Sequence, residues 1–364
     1  MPKGHCFTAA YLAVVLCLFG GTQAFPDTVL TKQRSITPVA EGVYLIRHPD
    51  APNGIPNGNT TVVIGARDVL VVDSGYLASQ ARQDIEQIRR WTDKPVRYLV
   101  NTHWHNDHTM GNGTYSEVFP GLQVIAQQET RVMMAGYLKD WFARHQKEIA
   151  RLKGEISTSK TEDGKPLTPT QLEETRHDLS GEEEVVREFP NFVPKLPDLV
   201  LDKELSLDLG SRPVEIKFLG RGNTAGDVVV FLPKERILIT GDLVVHPVPY
   251  LCSGYPSEWA ETLGRLIDLN PAAIIPGHGE PLHDLAYPRQ VQDLLRSVVS
   301  EVRHTFYVLG NGKPLEDIRK VVEQKINFES VRREFDGGDP DNFDQSSAIQ
   351  QCLVRNAYYE EVLR

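Results

Sequence analysis

The stretch Asn101-Thr102-His103-Trp104-His105-Asn106-Asp107-His108 decides how this 364-residue sequence is read. Three imidazoles and one carboxylate fall within six residues, directly after the largely apolar run 96–100. A strand sends alternate side chains to opposite faces, so His103 and His105 point to one side while the backbone stays extended. Beyond a turn, Asp107 and His108 then face a second point close by. Neutral imidazole and carboxylate are good ligands for zinc and other borderline first-row metals, and such a cluster at a strand end serves no packing purpose.

Two further strand ends extend the pattern. Thr240-Gly241-Asp242 follows Ile237-Leu238-Ile239 and predicts a carboxylate at a strand terminus. Ile274-Ile275-Pro276-Gly277-His278-Gly279 delivers an imidazole in the same way, with glycines leaving space around it. Alone, Gly-Asp after a strand is a turn more often than a ligand. Together with the histidine run, both become ligand candidates.

Working outward, short strands are expected from about residue 39, at 43–46, 60–64 and 69–72, the last two joined by the turn Gly65-Ala66-Arg67-Asp68. Residues 49–59, rich in Pro, Gly and Asn, read as a loop. Apolar residues at helical spacing predict a helix over 77–91. Strands resume at 214–219, 228–232 and 237–240, a helix follows at 257–269 and a short strand at 272–275. Three helical stretches are expected beyond Tyr287. Two passes of alternating strands and helices predict two sheets covered by helices. Residues 129–197 interrupt this order. Met133, Met134, Tyr137, Leu138, Trp141 and Phe142 recur there at helical spacing and read as packing, followed by a polar, mobile tip at 157–169.

Composition is that of an ordinary globular protein, with 40% hydrophobic and 24% charged residues, which excludes collagen-like, disordered and multi-spanning membrane chains. A net charge of -10 repels phosphate backbones and argues against nucleic acid as a general partner. Lys3, the uncharged apolar run 7–19 and the small-residue pattern ending Thr22-Gln23-Ala24 have the layout of a secretory signal peptide over residues 1–24. The mature chain is therefore expected to be extracytoplasmic, periplasmic or secreted, without stable membrane insertion. The alternative reading is an uncleaved anchor. Cys6 and Cys17 leave with the leader. Cys252 and Cys352 remain; an oxidising compartment permits a bond between them, but they read as buried small hydrophobes. Asn59-Thr60-Thr61 and Asn112-Gly113-Thr114 are glycosylation sequons where the host modifies secreted chains.

Over residues 39–282 the sequence resembles the metallo-β-lactamase fold superfamily. The resemblance rests on five motifs in order: Val72-Asp73-Ser74-Gly75 after a strand, the His-x-His-x-Asp-His run, Gly220-Arg221-Gly222-Asn223-Thr224-Ala225-Gly226-Asp227, Gly241-Asp242, and Gly277-His278-Gly279. They are specific for the fold and far less so for the substrate. The resemblance implies an α/β, αββα sandwich at 25–290, with a helical insertion at about 129–198 and a helical extension at 291–364. It implies His103 and His105 as ligands of a first metal site. Asp107, His108 and His278 map to a second, and Asp242 to a bridging carboxylate. One position departs from the pattern: the third imidazole of the first site is replaced by Asn223, whose amide oxygen is a weaker donor. Asn223 itself, solvent or His246, four residues past Asp242, are the candidates to complete that site. His48, His145, His177, His283 and His304 read as ordinary core or surface histidines.

The function the resemblance implies is a zinc hydrolase with one or two Zn2+ per chain. Metal-bound water ionises near neutral pH to attack an amide, ester, lactone, lactam or thioester of a small-molecule substrate, with Asp107 as the catalytic residue that orients it. A β-lactamase proper is one alternative, although Asp242 resembles the lactonases and thioesterases more than lactamases, which usually carry Cys or Ser there. An iron-dependent oxygenase like the persulfide dioxygenases is another, weakened because Asn223 removes one of three iron ligands. A non-catalytic metal-binding protein has no physical reason to keep both half-sites.

Overall fold

A computed structural model describes residues 33–190, 192–310, 312–337 and 343–363. The signal peptide expected at residues 1–24 lies outside the described residues. Among them, twelve strands form two sheets. The first runs in chain order through β1 (Ser35–Ala40), β2 (Val43–Arg47), β3 (Thr60–Ile64), β4 (Val69–Val72), β5 (Val96–Val100), β6 (Gln123–Gln127) and β7 (Leu199–Leu201). Its first half is antiparallel and its second half, from β4 to β7, parallel. The second sheet holds β8 (Glu204–Asp208), β9 (Pro213–Phe218), β10 (Val228–Leu232), β11 (Ile237–Val245) and β12 (Ala273–His278), antiparallel except for the β11–β12 pair.

The period of two in these strands builds the layers. Val43, Leu45, Val63, Leu70 and Val72 of the first sheet meet Val228, Val230, Leu232, Ile239 and Ile275 of the second in a buried layer between the sheets. Their neighbours face outward. Ile46, Val62 and Val71 pack against Ala81, Ile85 and Ile88 of α1 (Ala78–Trp91). On the far side, Val229, Leu238 and Ile274 pack against α7 (Pro256–Asp268) and α8 (Ala286–Leu309). Because both faces are covered, β4 and β11 are buried along their whole length and read as continuous apolar runs rather than alternating ones. The result is the αββα sandwich expected from the sequence.

Two short helices, α2 (Asn106–Thr109) and α3 (Asn112–Val118), follow β5. The insertion comprises α4 (Gln128–Lys139), α5 (Trp141–Thr158) and α6 (Pro169–Arg187). Met134, Leu138 and Trp141 of its apolar stripe are buried with Val185, Phe189 and Tyr76, as a packing stripe should be, but Phe142, read as part of it, is exposed. Its polar tip is a tight turn in which Thr161 N–H donates to Lys165 O and Leu167 N–H to Ser159 O. Thr168 then caps α6 with a reciprocal bond to Gln171, and Pro169 occupies the first turn.

The structure corrects several expectations. Asp242 is not at a strand terminus: β11 continues to Val245, with register shifts on either side of Gly241 (φ +54°). An irregularity of this kind re-aims a side chain without ending the strand. Strands β1, β6, β7 and β8 were not anticipated, being short or, like β8, alternating with charge at a sheet edge. Among the described residues, four helices rather than three follow Tyr287's neighbourhood: α8, α9 (Leu315–Lys325), α10 (Phe328–Asp336) and α11 (Phe343–Val362). No helix among the described residues is long and apolar enough to cross a membrane.

Cys252 and Cys352 are not separate small hydrophobes. They form a disulfide that closes a sequence separation of 100 residues and fastens α11 to the loop after β11. Closing so long a loop restricts the unfolded chain, so Cys352→Ser is expected to destabilise the oxidised protein by ~2–4 kcal/mol, read as a lower urea midpoint. Midpoints that coincide for the variant and the oxidised wild type would contradict this.

Candidate metal centre

The site lies where the C-terminal ends of β4 and β5 approach the edge of β11 and β12. Asp73, just past β4, adopts φ +59° and is buried. Its Oδ1 accepts from Thr102 N–H (2.8 Å), and its Oδ2 from the Thr102 hydroxyl (2.7 Å) and from His108 Nδ1 (2.9 Å). One carboxylate thus ties the end of β4 to both ends of the histidine run. Thr102 Oγ1 also lies 3.0 Å from His103 Nδ1, so it accepts from that ring while donating to Asp73. Both imidazoles then carry their proton on Nδ1 and leave Nε2 as a lone pair.

Those lone pairs converge. His103 Nε2 is 3.0 Å from His105 Nδ1 and 3.5 Å from Asp242 Oδ2. His108 Nε2 is 3.3 Å from His278 Nε2, 3.1 Å from Asp107 Oδ2 and 3.3 Å from Asp242 Oδ1. His278 Nε2 lies 3.2 Å from Asp107 Oδ2 and 3.6 Å from Asp242 Oδ1. The donors form two groups, His103–His108–Asp242 and Asp107–His108–His278. Asp242 turns one oxygen to each side.

This arrangement fits a metal. Ligands about 2.0–2.1 Å from a tetrahedral ion are ~3.3–3.4 Å apart, the spacing these atoms already hold. Asp242 Oδ1 is buried with no hydrogen-bond partner, an expensive state for a carboxylate unless a cation satisfies it. The crowding is built into the backbone. A Cβ on Gly277 would sit 1.9 Å from Asp242 Oδ1, and one on Gly58 2.4 Å from the His108 ring. Only glycine lets those segments pass.

The electrostatics follow from burial and mutual pairing. Burial pushes His103 and His105 down from the usual imidazole range, and for His103 the neighbouring His108 adds to it. Burial alone would also lower His108 and His278, but the carboxylates outweigh it: Asp107, Asp242 and Asp73 raise His108, and Asp242 and Asp107 raise His278. Against the upward push of burial, the same pairs hold Asp107 and Asp242 below the ordinary carboxylate range.

The remaining sequence candidates belong to neither donor group. Asn223 is buried, and its Oδ1 accepts from the Ser253 hydroxyl at 2.6 Å. His246 belongs to neither donor group; its ring stands edge-on to Tyr287, 4.9 Å between centroids. His48 pairs with Asp84 and His145 with Glu182. The two sequon asparagines are buried and paired: Asn59 Nδ2 donates to Pro276 O and Gly279 O, and Asn112 exchanges amide bonds with Asn101. Neither can carry a glycan in this fold.

Four neighbours of the site had no assigned role in the sequence. Asp73 stood in a quoted motif, yet nothing in its local sequence says that it orients two imidazoles. Asp50, at the start of the loop read only as Pro/Gly/Asn-rich, has a buried, unpartnered Oδ2. Burial pushes it up to about 7 against the opposing pull of His278. Trp104 lies 4.5 Å from His105 and 4.9 Å from Tyr137 of the insertion, and Tyr250 stands edge-on to His105 at 6.4 Å. Trp104 and Tyr250 thus each set an aromatic ring against His105.

Comparison with known proteins agrees with this geometry. A family model described as the metallo-beta-lactamase superfamily matches residues 54–278. The linear primary-alkylsulfatase of Pseudomonas sp. (strain ATCC 19151) is 23% identical over 243 residues, 64% of this chain and 44% of that protein. The metallo-beta-lactamase type 2 of Bacillus cereus is 30% identical over 86 residues, 22% of this chain and 34% of that one. The chain thus spans less than half the length of these curated relatives. Among solved structures, a metallo-beta-lactamase from Pontibacter korlensis is similar with a TM-score of 0.52 at 18% identity, covering 72% of this chain and 99% of that one, which speaks to the fold alone. The family match takes in all five donors of the two groups, from His103 to His278, and the chain belongs to the metallo-beta-lactamase superfamily.

Proposed function

We propose that this chain is a zinc-dependent hydrolase of small-molecule esters, acting outside the cytoplasm. The observation that carries the reading is the pair of donor groups that share His108 at metal-ligand spacing, with Asp242 beside both. The superfamily and the hydrolase names of its relatives support hydrolysis in general; zinc is favoured by the imidazole and carboxylate donors. The signal-peptide layout of residues 1–24 and the Cys252–Cys352 bridge support the extracytoplasmic setting.

In this reading His103, His105 and Asp242 would hold one ion, and Asp107, His108 and His278, with Asp242, the other. Zinc bound there supplies Lewis acidity and a strong nucleophile at neutral pH. The chain's own residues do the rest. Asp73 keeps the proton of His108 on Nδ1, and Thr102 keeps that of His103 there, so that both rings present lone pairs. Asp107 orients the attacking oxygen. Trp104, Tyr137 and Tyr250 offer an apolar wall to the substrate body. The longest alignment, to the alkylsulfatase, adds sulfate esters to the carboxylic esters and thioesters that such a wall suits. Lactams belong in the same panel as the competing outcome.

Elemental analysis of protein purified without added metal, and again after zinc supplementation, should give two zinc ions per chain. Iron alone, or no metal after supplementation, would overturn the assignment. Asp107→Ala is expected to stay folded and to lose ~100-fold or more in kcat; wild-type turnover in the folded variant would remove Asp107 from its role. Asp73→Asn, whose residue tolerates positive φ, should weaken zinc binding ~10–100-fold in chelator competition, because the His108 ring loses its orienting partner. An unchanged affinity would mean that packing alone orients the ring.

A further inference from the structure

Asn223 stands between two fixed points beside the donor cluster. On one side, Val228 N–H donates to Thr102 O (2.8 Å), next to His103. On the other, Gly222 abuts Leu243, the residue after Asp242: a Cβ there would meet Leu243 Cδ2 at 2.2 Å. The turn itself is set by Asp227, whose carboxylate accepts from Gly222 N–H, Thr224 N–H and the Thr224 hydroxyl. Asn223 is only 1% exposed, and while its Oδ1 is taken by Ser253, its Nδ2 is buried without a hydrogen-bond partner.

The segment that carries Ser253 is fixed from behind by α11. Asn356 Nδ2 donates to Leu251 O and Ser253 O at 3.2 and 3.1 Å, Arg355 Nη2 donates to Cys252 O at 2.7 Å, and Cys252 is bonded to Cys352. The two loops are also joined directly, Tyr255 N–H donating to Gly222 O at 2.9 Å. Gly254 (φ +95°) permits that approach, since a Cβ there would lie 2.3 Å from Gly222 O. The Asn223–Ser253 pair is therefore pre-organised. A buried donor left unsatisfied costs ~1–3 kcal/mol, a cost that a ligand oxygen removes on binding.

We propose that Asn223 is not a metal ligand but a substrate-binding residue: its Nδ2 donates to an oxygen of the anionic or polarised ester group held at the metal centre, and Ser253 is the positioning residue that holds its Oδ1. This deepens the hydrolase reading and rests on it. Where the superfamily pattern has an imidazole for the metal, this chain presents an N–H for the substrate's oxygen. The ligand class is a tetrahedral oxyanion or an ester oxygen, for which inorganic phosphate is a simple probe.

The test uses the zinc-loaded full chain. Zinc per chain is counted after dialysis against a weak chelator, and phosphate binding is measured by calorimetry, for wild type, Asn223→Ala, the isosteric Asn223→Asp, Ser253→Ala and Ser253→Thr. All should keep the wild-type zinc count. Phosphate should bind ~10-fold or more weakly to both Asn223 variants, as for loss of a hydrogen bond to a charged group. Ser253→Ala should weaken it less, and Ser253→Thr, which keeps the hydroxyl, should restore it. Loss of one zinc in Asn223→Ala, or phosphate affinity unchanged in both Asn223 variants or undetectable in wild type, overturns the proposal. A wild type that holds two zinc ions and binds phosphate yet cleaves no ester sinks the hydrolase reading alone; one that takes up no zinc sinks both.

Discussion

Asp73 holds the site together by accepting three hydrogen bonds within one buried carboxylate. Burial opposes its charge, while His108 and the Thr102 donors favour it. It sits in a left-handed conformation at the end of β4, a geometry that Asp tolerates better than most side chains. Because β4 and β5 run parallel, their C-terminal ends emerge at the same edge, and Asp73 can reach Thr102 and His108 without leaving its own strand. Fixing Thr102 fixes His103 through the hydroxyl, and fixing His108 sets the atom that both donor groups share.

The second sheet reaches the same edge through backbone bonds, joined by the Asn59 side chain, which donates to Pro276 O and Gly279 O. Val228 N–H to Thr102 O joins β10 to the histidine run, and Asn59 N–H to Gly277 O joins the first sheet's loop to β12. These bonds clamp the two layers where Asp242 and His278 enter. A carboxylate at the kinked middle of β11 and an imidazole at the end of its parallel partner β12 then arrive side by side. An element held at both ends in this way suits a metal centre, whose donors must stay within a fraction of an ångström.

How far this was legible depends on whether the signal was local. The histidine run, the Gly-Asp and the Gly-His-Gly each advertise chemistry within a few residues, and their placement after apolar strands followed from sequence alone. The layers were readable because the strands alternate and α1 keeps helical spacing. Asp73's role, the continuation of β11 through Asp242 and the Cys252–Cys352 bond were not readable, since each depends on residues distant in sequence: Asp73 and His108 are 35 apart, and the cysteines 100. Burial likewise removes the two sequons, a property that a three-residue pattern does not encode.

The division between legible and illegible follows a division of labour in the fold. The candidate donors come from the ends of β5 and β12, the turn after β5 and the kinked middle of β11, where identity is dictated by coordination chemistry and therefore visible as residue type. The surfaces that would face a substrate come from elsewhere. Tyr137 belongs to the insertion, Tyr250 and Ser253 to the loop after β11, and that loop takes its shape from α11, some hundred residues further on. Such residues are ordinary tyrosines, serines and asparagines whose chemistry depends on what holds them. A β11 loop anchored by a disulfide and side-chain bonds loses less conformational entropy when it binds a ligand than a free loop does. In the proposed reading, substrate choice would thus be carried by the packing of the helical additions against the metal edge, while the metal chemistry would be carried by the motifs.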